Sequence, residues 1–239
     1  MLFRSGTGSV AGIGTVVGDA VDFEMVNSDF SGTNVSFSAL ADGATAGGLA
    51  DFISLTNSTA NLSAGLSFTT PNSFSLLLDQ SSLTAPFVSI AARNWVLPAT
   101  APTTIGTLTG TNTLSLSSLQ DIIGYANLST QGNLTLQAGG RIDLGSLFAL
   151  GAVDVTAGGS LTLGDITSGD SIDLTSQAVV AVGNMTAGTS ITVQSASNVN
   201  TGNLAAGSGT PSGANGDLYS VGIRSGGNVL TGNVSAASD

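Results

Sequence analysis

Two aspartates offer the most direct opportunity for chemistry in this 239-residue sequence. Asp154 and Asp173 lie 19 positions apart, and each stands between two apolar residues of an alternating triplet. If consecutive 19-residue stretches stack as neighbouring strands, the two carboxylates point outward about 4.8 Å apart. Carboxylates this close could bind calcium or act as nucleophile and acid in a retaining glycosidase. We favour a solvated pair screened by water and ions, because the neighbouring Thr135 and Thr192 add no charge.

Two other segments contain residue types that are common in binding surfaces. An exposed Trp beside an Arg is typical of binding hot spots, so Arg93 and Trp95 could contact a carbohydrate or a protein. The favoured alternative is that Trp95 folds back to cap the interior. Residues 208–218, which include Asn215 and Asp217, have turn chemistry and almost no apolar content. We expect them to form a protruding loop that could provide a variable contact surface.

The composition excludes several classes of function. The chain has 15 acidic residues against four arginines, a formal charge of −11, and neither histidine nor cysteine. It therefore lacks the usual catalytic base, thiol nucleophiles and the commonest zinc ligands. The negative charge disfavours nucleic acid and anionic membranes, and no apolar run reaches the roughly 18 residues of a spanning helix. We expect no enzymatic activity, no cofactor, no metal, no nucleic-acid partner and no membrane span.

The elements that position these residues follow from a 19-residue repeat. Four ungapped rows begin at Gly132 and read GNLTLQAGGRIDLGSLFAL, GAVDVTAGGSLTLGDITSG, DSIDLTSQAVVAVGNMTAG and TSITVQSASNVNTGNLAAG, and a fifth row starts at Tyr219. Apolar residues align in the columns of these rows, for example Leu134, Val153, Ile172 and Ile191 in the third column. Alternating triplets separated by glycines predict three short strands per row, stacked as three parallel sheets around one core. The sequence therefore predicts an all-β, single-stranded parallel β-helix, or β-solenoid, with about 19 residues per coil.

The corners of this predicted solenoid have their own pattern. We expect the glycines there to supply left-handed or bridge backbone angles. The corner column holds Asp165, Asn184, Asn203 and Asn233, which predicts either a hydrogen-bonded ladder along the stack or outward-pointing turn residues.

The chain divides into two predicted regions. Residues 1–131 should form irregular coils, with phenylalanines inside and an excursion near 91–104, where Pro98 and Pro102 interrupt the strand pattern. Residues 132–239 should form regular 19-residue coils with the inserted loop at 208–218.

The rows also resemble a known family. Their Gly-Asp/Asn-apolar corners, such as Gly164-Asp165-Ile166 and Gly202-Asn203-Leu204, together with the absence of Lys and Cys, are similar to filamentous haemagglutinin-type adhesins and autotransporter passengers. The resemblance covers Gly132 to Ala237 well. It implies a right-handed parallel β-helix, passage through an outer-membrane export pore, and an adhesive or structural role at the bacterial surface.

From these observations we expect part of a large exported bacterial surface protein, an adhesin or a structural stalk without enzymatic activity. Its expected location is extracellular, and its expected partners are glycans or proteins of a host or a neighbouring cell. Two readings stay open beside the adhesin: a stalk alone, and a carbohydrate-active enzyme that uses Asp154 and Asp173.

Overall fold

The computed structural model describes residues 2–5, 9–11, 15–18, 22–27, 29–39, 51–98, 101–207 and 220–237. These residues form an all-β structure in which the strands pair in parallel, as the sequence predicted. The described ranges contain no helix, and so none long and apolar enough to cross a membrane.

The strands of the N-terminal region range from 3 to 21 residues, and the long ones continue past positions where later repeats break. They are β1 (Leu2–Ser5), β2 (Ser9–Ala11), β3 (Thr15–Gly18), β4 (Asp22–Val26), β5 (Asp29–Ala39), β6 (Asp51–Thr56), β7 (Thr59–Asp79), β8 (Ser82–Trp95) and β9 (Thr107–Ser118).

The C-terminal region has short strands, three to a repeat. They are β10 (Ile122–Ile123), β11 (Asn127–Thr130), β12 (Leu134–Ala138), β13 (Ile142–Asp143), β14 (Leu147–Ala149), β15 (Val153–Ala157), β16 (Leu161–Leu163), β17 (Ile166–Ser168), β18 (Ile172–Ser176), β19 (Val180–Val182), β20 (Met185–Ala187), β21 (Ser190–Ser195), β22 (Val199–Thr201), β23 (Leu204–Ala206), β24 (Ser220–Ser225), β25 (Val229–Leu230) and β26 (Val234–Ala236).

The predicted columns are the observed strand pairs of the C-terminal region. In the first strand of each repeat, Leu134 pairs with Val153, Val153 with Ile172, and Ile172 with Ile191. The second and third strands keep the same offset, so each repeat lies directly against the next. These pairs have the 19-residue offset that the columns predicted. The offset matters because a shift by a single residue would turn every apolar side chain outward.

The strands form two hydrogen-bonded sheets rather than the predicted three. The second strands of the repeats make a six-stranded sheet, and the other twenty described strands belong to one sheet. The first and third strands are joined because β9 runs without a break between the two positions, pairing with β11 at Thr107–Gly110 and with β12 at Leu114–Ser118. Short strands alone would have left the two series separate.

A single apolar core runs through the stack. The inward columns of the four ungapped repeats are buried, with Ile172, Leu174, Val180 and Met185 each 0% exposed. In the last described repeat the same columns are more open, since Val234 is 53% exposed and no described repeat lies on its far side. Stacking, rather than any single repeat, therefore buries the apolar residues.

The pairing in the N-terminal region is irregular, and most of the phenylalanines belong to this region. Register shifts interrupt the pairing of β5, β7, β8 and β9, for example between Ala85 and Phe87. The rings of Phe23 and Phe30 meet edge to face with centroids 6.0 Å apart in the interior. Bulges of this kind add a residue to one strand of a pair and increase the local twist.

The predicted excursion at 91–104 is shorter than expected. Ala91 to Trp95 continue β8, and the strand ends only before Val96. The error came from extending the effect of proline backwards: Pro98 and Pro102 cannot donate to a ladder, but they do not affect residues several positions earlier. Of the predicted excursion, the described residues 96–98 and 101–104 lie outside strands.

The predicted loop at 208–218 lies outside the described residues. The strand after it does return in the predicted register, because Ile191 pairs with Val221 and Val193 with Ile223. The division into regions 1–131 and 132–239 stays a prediction.

Candidate functional site

The structure brings Asp154 and Asp173 together. They are direct partners in the parallel pairing of β15 and β18, and both are exposed. Their neighbours in the column are Thr135 and Thr192, and the Ser171 hydroxyl donates a hydrogen bond to Asp173 over 3.1 Å. Among the described residues there is no group of three carboxylates, histidines or cysteines that could hold a metal ion. The pair therefore lies on an exposed polar face, and no third carboxylate joins it among the residues that the structure describes.

Trp95 does not belong to a binding surface, which corrects its place among the predicted contact residues. Its side chain is 0% exposed and meets Phe74 edge to face, with centroids 4.7 Å apart. Phe74 in turn packs on Phe68 at 4.7 Å. Strict alternation would place Arg93 and Trp95 on the same face, but the pairing of β7 with β8 shifts register between Thr70 and Ser73, opposite Arg93. After this irregularity Trp95 is buried whereas Arg93 is exposed. The alternative reading, in which Trp95 folds into the interior, matches this position.

Arg93 lies in a groove of about 800 Å³ that we call the corner groove. It follows equivalent positions of six neighbouring strand segments, where the chain approaches a corner. The residues that line it are Thr69, Thr70, Pro71, Ala91, Ala92, Arg93, Ser117, Ser118, Leu119, Gln137, Ala138, Gly139, Thr156, Ala157, Gly158 and Gln177. The groove therefore runs along the stack rather than along any strand.

The floor of the corner groove consists of small, buried residues. Ala92, Ala138 and Ala157 are stacked partners there, together with Ser118. The Ser118 hydroxyl donates to the carbonyl oxygen of Arg93 over 3.0 Å and accepts from the amide of Gln120 over 3.2 Å. The hydroxyl is thus engaged within the protein, and the floor is mainly apolar.

The rim of the corner groove provides polar groups without internal partners. Arg93, Gln137, Thr156 and Gln177 are exposed, and none of these four side chains makes a hydrogen bond or ion pair to another described residue. Leu119 projects beside them and is 79% exposed. The rim therefore combines one cation, two amides and a hydroxyl that are all available to a ligand.

The corner column forms a ladder, in a form that differs from amide-to-amide stacking. The Oδ1 atom of each residue accepts a hydrogen bond from the backbone amide of its counterpart one repeat later. Asn184 donates in this way to Asp165 over 2.8 Å, Asn203 to Asn184 over 2.9 Å, and Asn233 to Asn203 over 2.9 Å. One side-chain contact also occurs, from Asn184 Nδ2 to Asp165 at 3.2 Å. The column satisfies corner amides that would otherwise face solvent.

The corner glycines are required for space, not for left-handed backbone angles. Among the described glycines only Gly207 has a positive φ, of 87°. A Cβ on Gly183 would instead lie 2.3 Å from Asp165 Oδ1, and one on Gly202 would lie 2.6 Å from Asn184 Oδ1. The glycine of one repeat therefore leaves room for the Asp or Asn side chain of the repeat before it. That side chain accepts a hydrogen bond from the amide of the residue that follows the glycine.

A second polar cluster lies inside the N-terminal region. Asp51 is fully buried and accepts hydrogen bonds from the Thr70 hydroxyl and the Asn72 amide. Nearby, burial raises the pKa of Asp22 above its ordinary value of 3.8. The carboxylates of Asp51 and Glu24 raise this pKa further, whereas the positive amino terminus lowers it. The folded state therefore favours the protonated form of Asp22.

Replacing Asp22 by asparagine is expected to stabilise β4 modestly at pH 7. A raised folded pKa gives stability that is present at low pH and lost as pH rises through that pKa, so the ionised carboxylate opposes folding at neutrality. Amide hydrogen exchange of residues 22–26 should slow in Asp22→Asn at pH 7, and the difference from the parent should shrink near pH 4. The exposed control Asp173→Asn should leave exchange in β4 unchanged; equal protection of parent and Asp22→Asn at both pH values would contradict this account.

The sequence identified one residue of the corner groove, Arg93, and missed the rest. The available signal was the seventh column of the repeats, in which Ala138, Ala157 and Ser176 stay small beside a glycine-rich corner. The two remaining predicted contact residues, Asn215 and Asp217, lie outside the described residues.

No protein-family model, curated protein or solved structure matches the chain significantly.

Proposed function

We propose that this chain is a right-handed parallel β-helix that serves as a non-enzymatic adhesin or stalk of an exported bacterial surface protein. The observation that carries the proposal is one unbroken apolar core surrounded by exposed polar faces, on which no three carboxylate, histidine or cysteine side chains converge within the described part of the chain. The handedness follows from the general rule that connections between parallel strands of one sheet are right-handed.

Several further features support an elongated, repetitive role. Each repeat contacts mainly its neighbours, so the stack lengthens without needing a larger core. A chain without cysteine avoids misoxidation outside the cell. The resemblance of the Gly-Asp/Asn corners to haemagglutinin-type adhesins adds the export pore and the extracellular location to the proposal, with glycans or proteins of other cells as partners.

The second candidate is a carbohydrate-active enzyme, and it depends on the stacked pair Asp154 and Asp173. Retaining glycosidases place two carboxyl groups about 5 Å apart, which neighbouring parallel strands provide. They also require one of the two carboxyl groups to stay protonated near neutrality, which burial usually achieves. Asp154 and Asp173 are both exposed, so they share the same solvated surroundings.

We expect no release of reducing ends when the chain is incubated with a panel of polysaccharides. Asp173→Asn should give the same baseline as the parent, because the carboxylate pair does no chemistry. Hydrolysis by the parent that disappears in Asp173→Asn would reverse the conclusion and favour the enzyme.

The same preparation separates the adhesin from the stalk. Beads coated with the chain should be retained on glycan-coated surfaces more strongly than beads coated with albumin if these repeats are adhesive. Equal retention would assign them to the stalk.

A further inference from the structure

We propose that the corner groove binds an oligosaccharide that bears a carboxylate, with that carboxylate at Arg93. This inference deepens the proposed adhesin and rests on it, since it names the class of ligand and where it lies. Its first support is the positive charge of Arg93 in an acidic chain. The chain carries a formal charge of −11, yet the exposed guanidinium of Arg93 has no carboxylate partner among the described residues. Arg141, by contrast, lies 3.4 Å from Asp121.

The charge distribution gives the ligand a direction. Arg93 lies in the second of the six strand segments along the groove and so near its first end, whereas Asp154 lies two residues before the rim residue Thr156 in the fifth segment. A single acidic group is therefore attracted to the first end and repelled at the second. The overall negative charge disfavours a ligand that is acidic along its whole length. A chain with one or a few carboxylates fits this field better than a dense polyanion.

The neutral part of the rim suits hydroxyl groups. Gln137 and Gln177 each offer a donor and an acceptor, and Thr156 offers a hydroxyl, so each can pair with a sugar hydroxyl in either sense. Between them Gly139 and Gly158 carry no side chain, which lets a ligand approach the backbone. From Arg93 to Gln177 the groove crosses four strand steps, about 19 Å at the usual strand spacing. That length suits a short oligosaccharide rather than a single sugar.

An acidic peptide is the competing ligand, and the strand pairing disfavours it. Peptides commonly bind by adding a strand to a free sheet edge. Along the groove both edges are already used, because β12 pairs with β9 and β15, and β15 pairs with β12 and β18. A peptide would find no row of free backbone groups, and it would leave most of its own amides unpaired.

The test uses the intact chain and isothermal titration with defined probes. The acidic probes are a tetrasaccharide of three neutral sugars ending in one glucuronate and a sialylated trisaccharide; their neutral counterparts are the methyl ester of the glucuronate tetrasaccharide and lactose. A tetraglutamate peptide represents the competing class. We expect at least one acidic saccharide to bind about tenfold more tightly than its neutral counterpart, and the acidic probe that binds identifies uronic or sialic acid as the source of the carboxylate.

Two variants locate the site. Arg93→Gln should weaken binding of the acidic saccharide about tenfold and leave binding of its neutral counterpart unchanged, because only the charge contact is lost. Arg224→Gln removes an exposed arginine outside the groove and should change neither. Circular dichroism of both variants should match the parent, since the two side chains lie on the surface.

Three results would overturn the proposal: no acidic saccharide binds, Arg93→Gln binds it as well as the parent does, or the tetraglutamate peptide binds as tightly as the saccharide. Failure here is distinct from failure of the proposed function. Binding followed by cleavage of the glucuronate tetrasaccharide would retain the groove and refute the non-enzymatic adhesin, whereas absence of binding by a folded, inactive chain would retain the stalk.

Discussion

The substitution Ile172→Asp should abolish cooperative unfolding of the repeats between Leu134 and Ala206. Ile172 is 0% exposed and lies between Val153 and Ile191 in the stack, with apolar residues of the interior around it. A carboxylate there loses its water and gains no cation or hydrogen-bond donor. We expect a loss of roughly 3–5 kcal/mol, comparable to leaving a buried charge without its partner.

The damage should stay local, because each repeat is stabilised mainly by its neighbours. Hydrogen exchange should accelerate in β15, β18 and β21 while β7 and β8 keep their protection. Thr167→Asp is the matched control, since it introduces the same charge at an exposed position beside an inward one. An unchanged melting curve for Ile172→Asp would show that the assigned register is wrong.

The second large effect is expected for Gly183→Ala. The added methyl group would lie 2.3 Å from Asp165 Oδ1, the atom that accepts the hydrogen bond from the Asn184 amide. Either the backbone moves or Asp165 gives up this bond. Overpacking costs about 1–3 kcal/mol and a lost hydrogen bond about 1 kcal/mol, so we expect a loss of about 2–3 kcal/mol in chemical denaturation.

Gly222→Ala provides the control, because a Cβ at Gly222 meets nothing within 4 Å. This variant should be neutral or slightly more stable. The double variant Asp165→Ala with Gly183→Ala separates the two causes. If the clash with Asp165 is the main defect, the double variant should be less destabilised than the sum of the two single variants. If the two losses of stability simply add, the destabilisation by Gly183→Ala comes from movement of the backbone instead.

The apolar columns made most of the C-terminal fold predictable. A two-residue alternation fixes which side chains point inward, and a constant 19-residue period fixes which of them become partners, as Val153, Ile172 and Ile191 do. A single sequence shows both signals, because the alternation is local and the period recurs in every repeat. The N-terminal pairing lacks a constant period, because bulges such as the one between Asn61 and Gly65 change the offset from strand to strand.

The features that the sequence could not predict depend on contacts between repeats. The corner groove forms because several successive strand segments have small residues at equivalent positions near a corner, and no single corner shows this. The inward direction of Trp95 could not be predicted from its neighbours, because it follows a shift in the register between β7 and β8 opposite Arg93. The reason for the corner glycines was also hidden, since the space that Gly183 leaves is occupied by an atom of Asp165, 18 positions earlier.

The ladder at the corners gives the stack a chemical polarity. In every described hydrogen bond of this kind that an Asp or Asn side chain accepts, the backbone donor belongs to the later repeat and the side-chain acceptor to the earlier one, as with Ser146 on Asn127, Ala152 on Asn133 and Asn228 on Asn198. A cut between any two of these repeats would therefore create unlike faces, one displaying side-chain oxygens and the other displaying amide hydrogens. Two identical faces would bring acceptors against acceptors or donors against donors. Fragments of this protein can therefore form these corner hydrogen bonds with one another only when they associate head to tail.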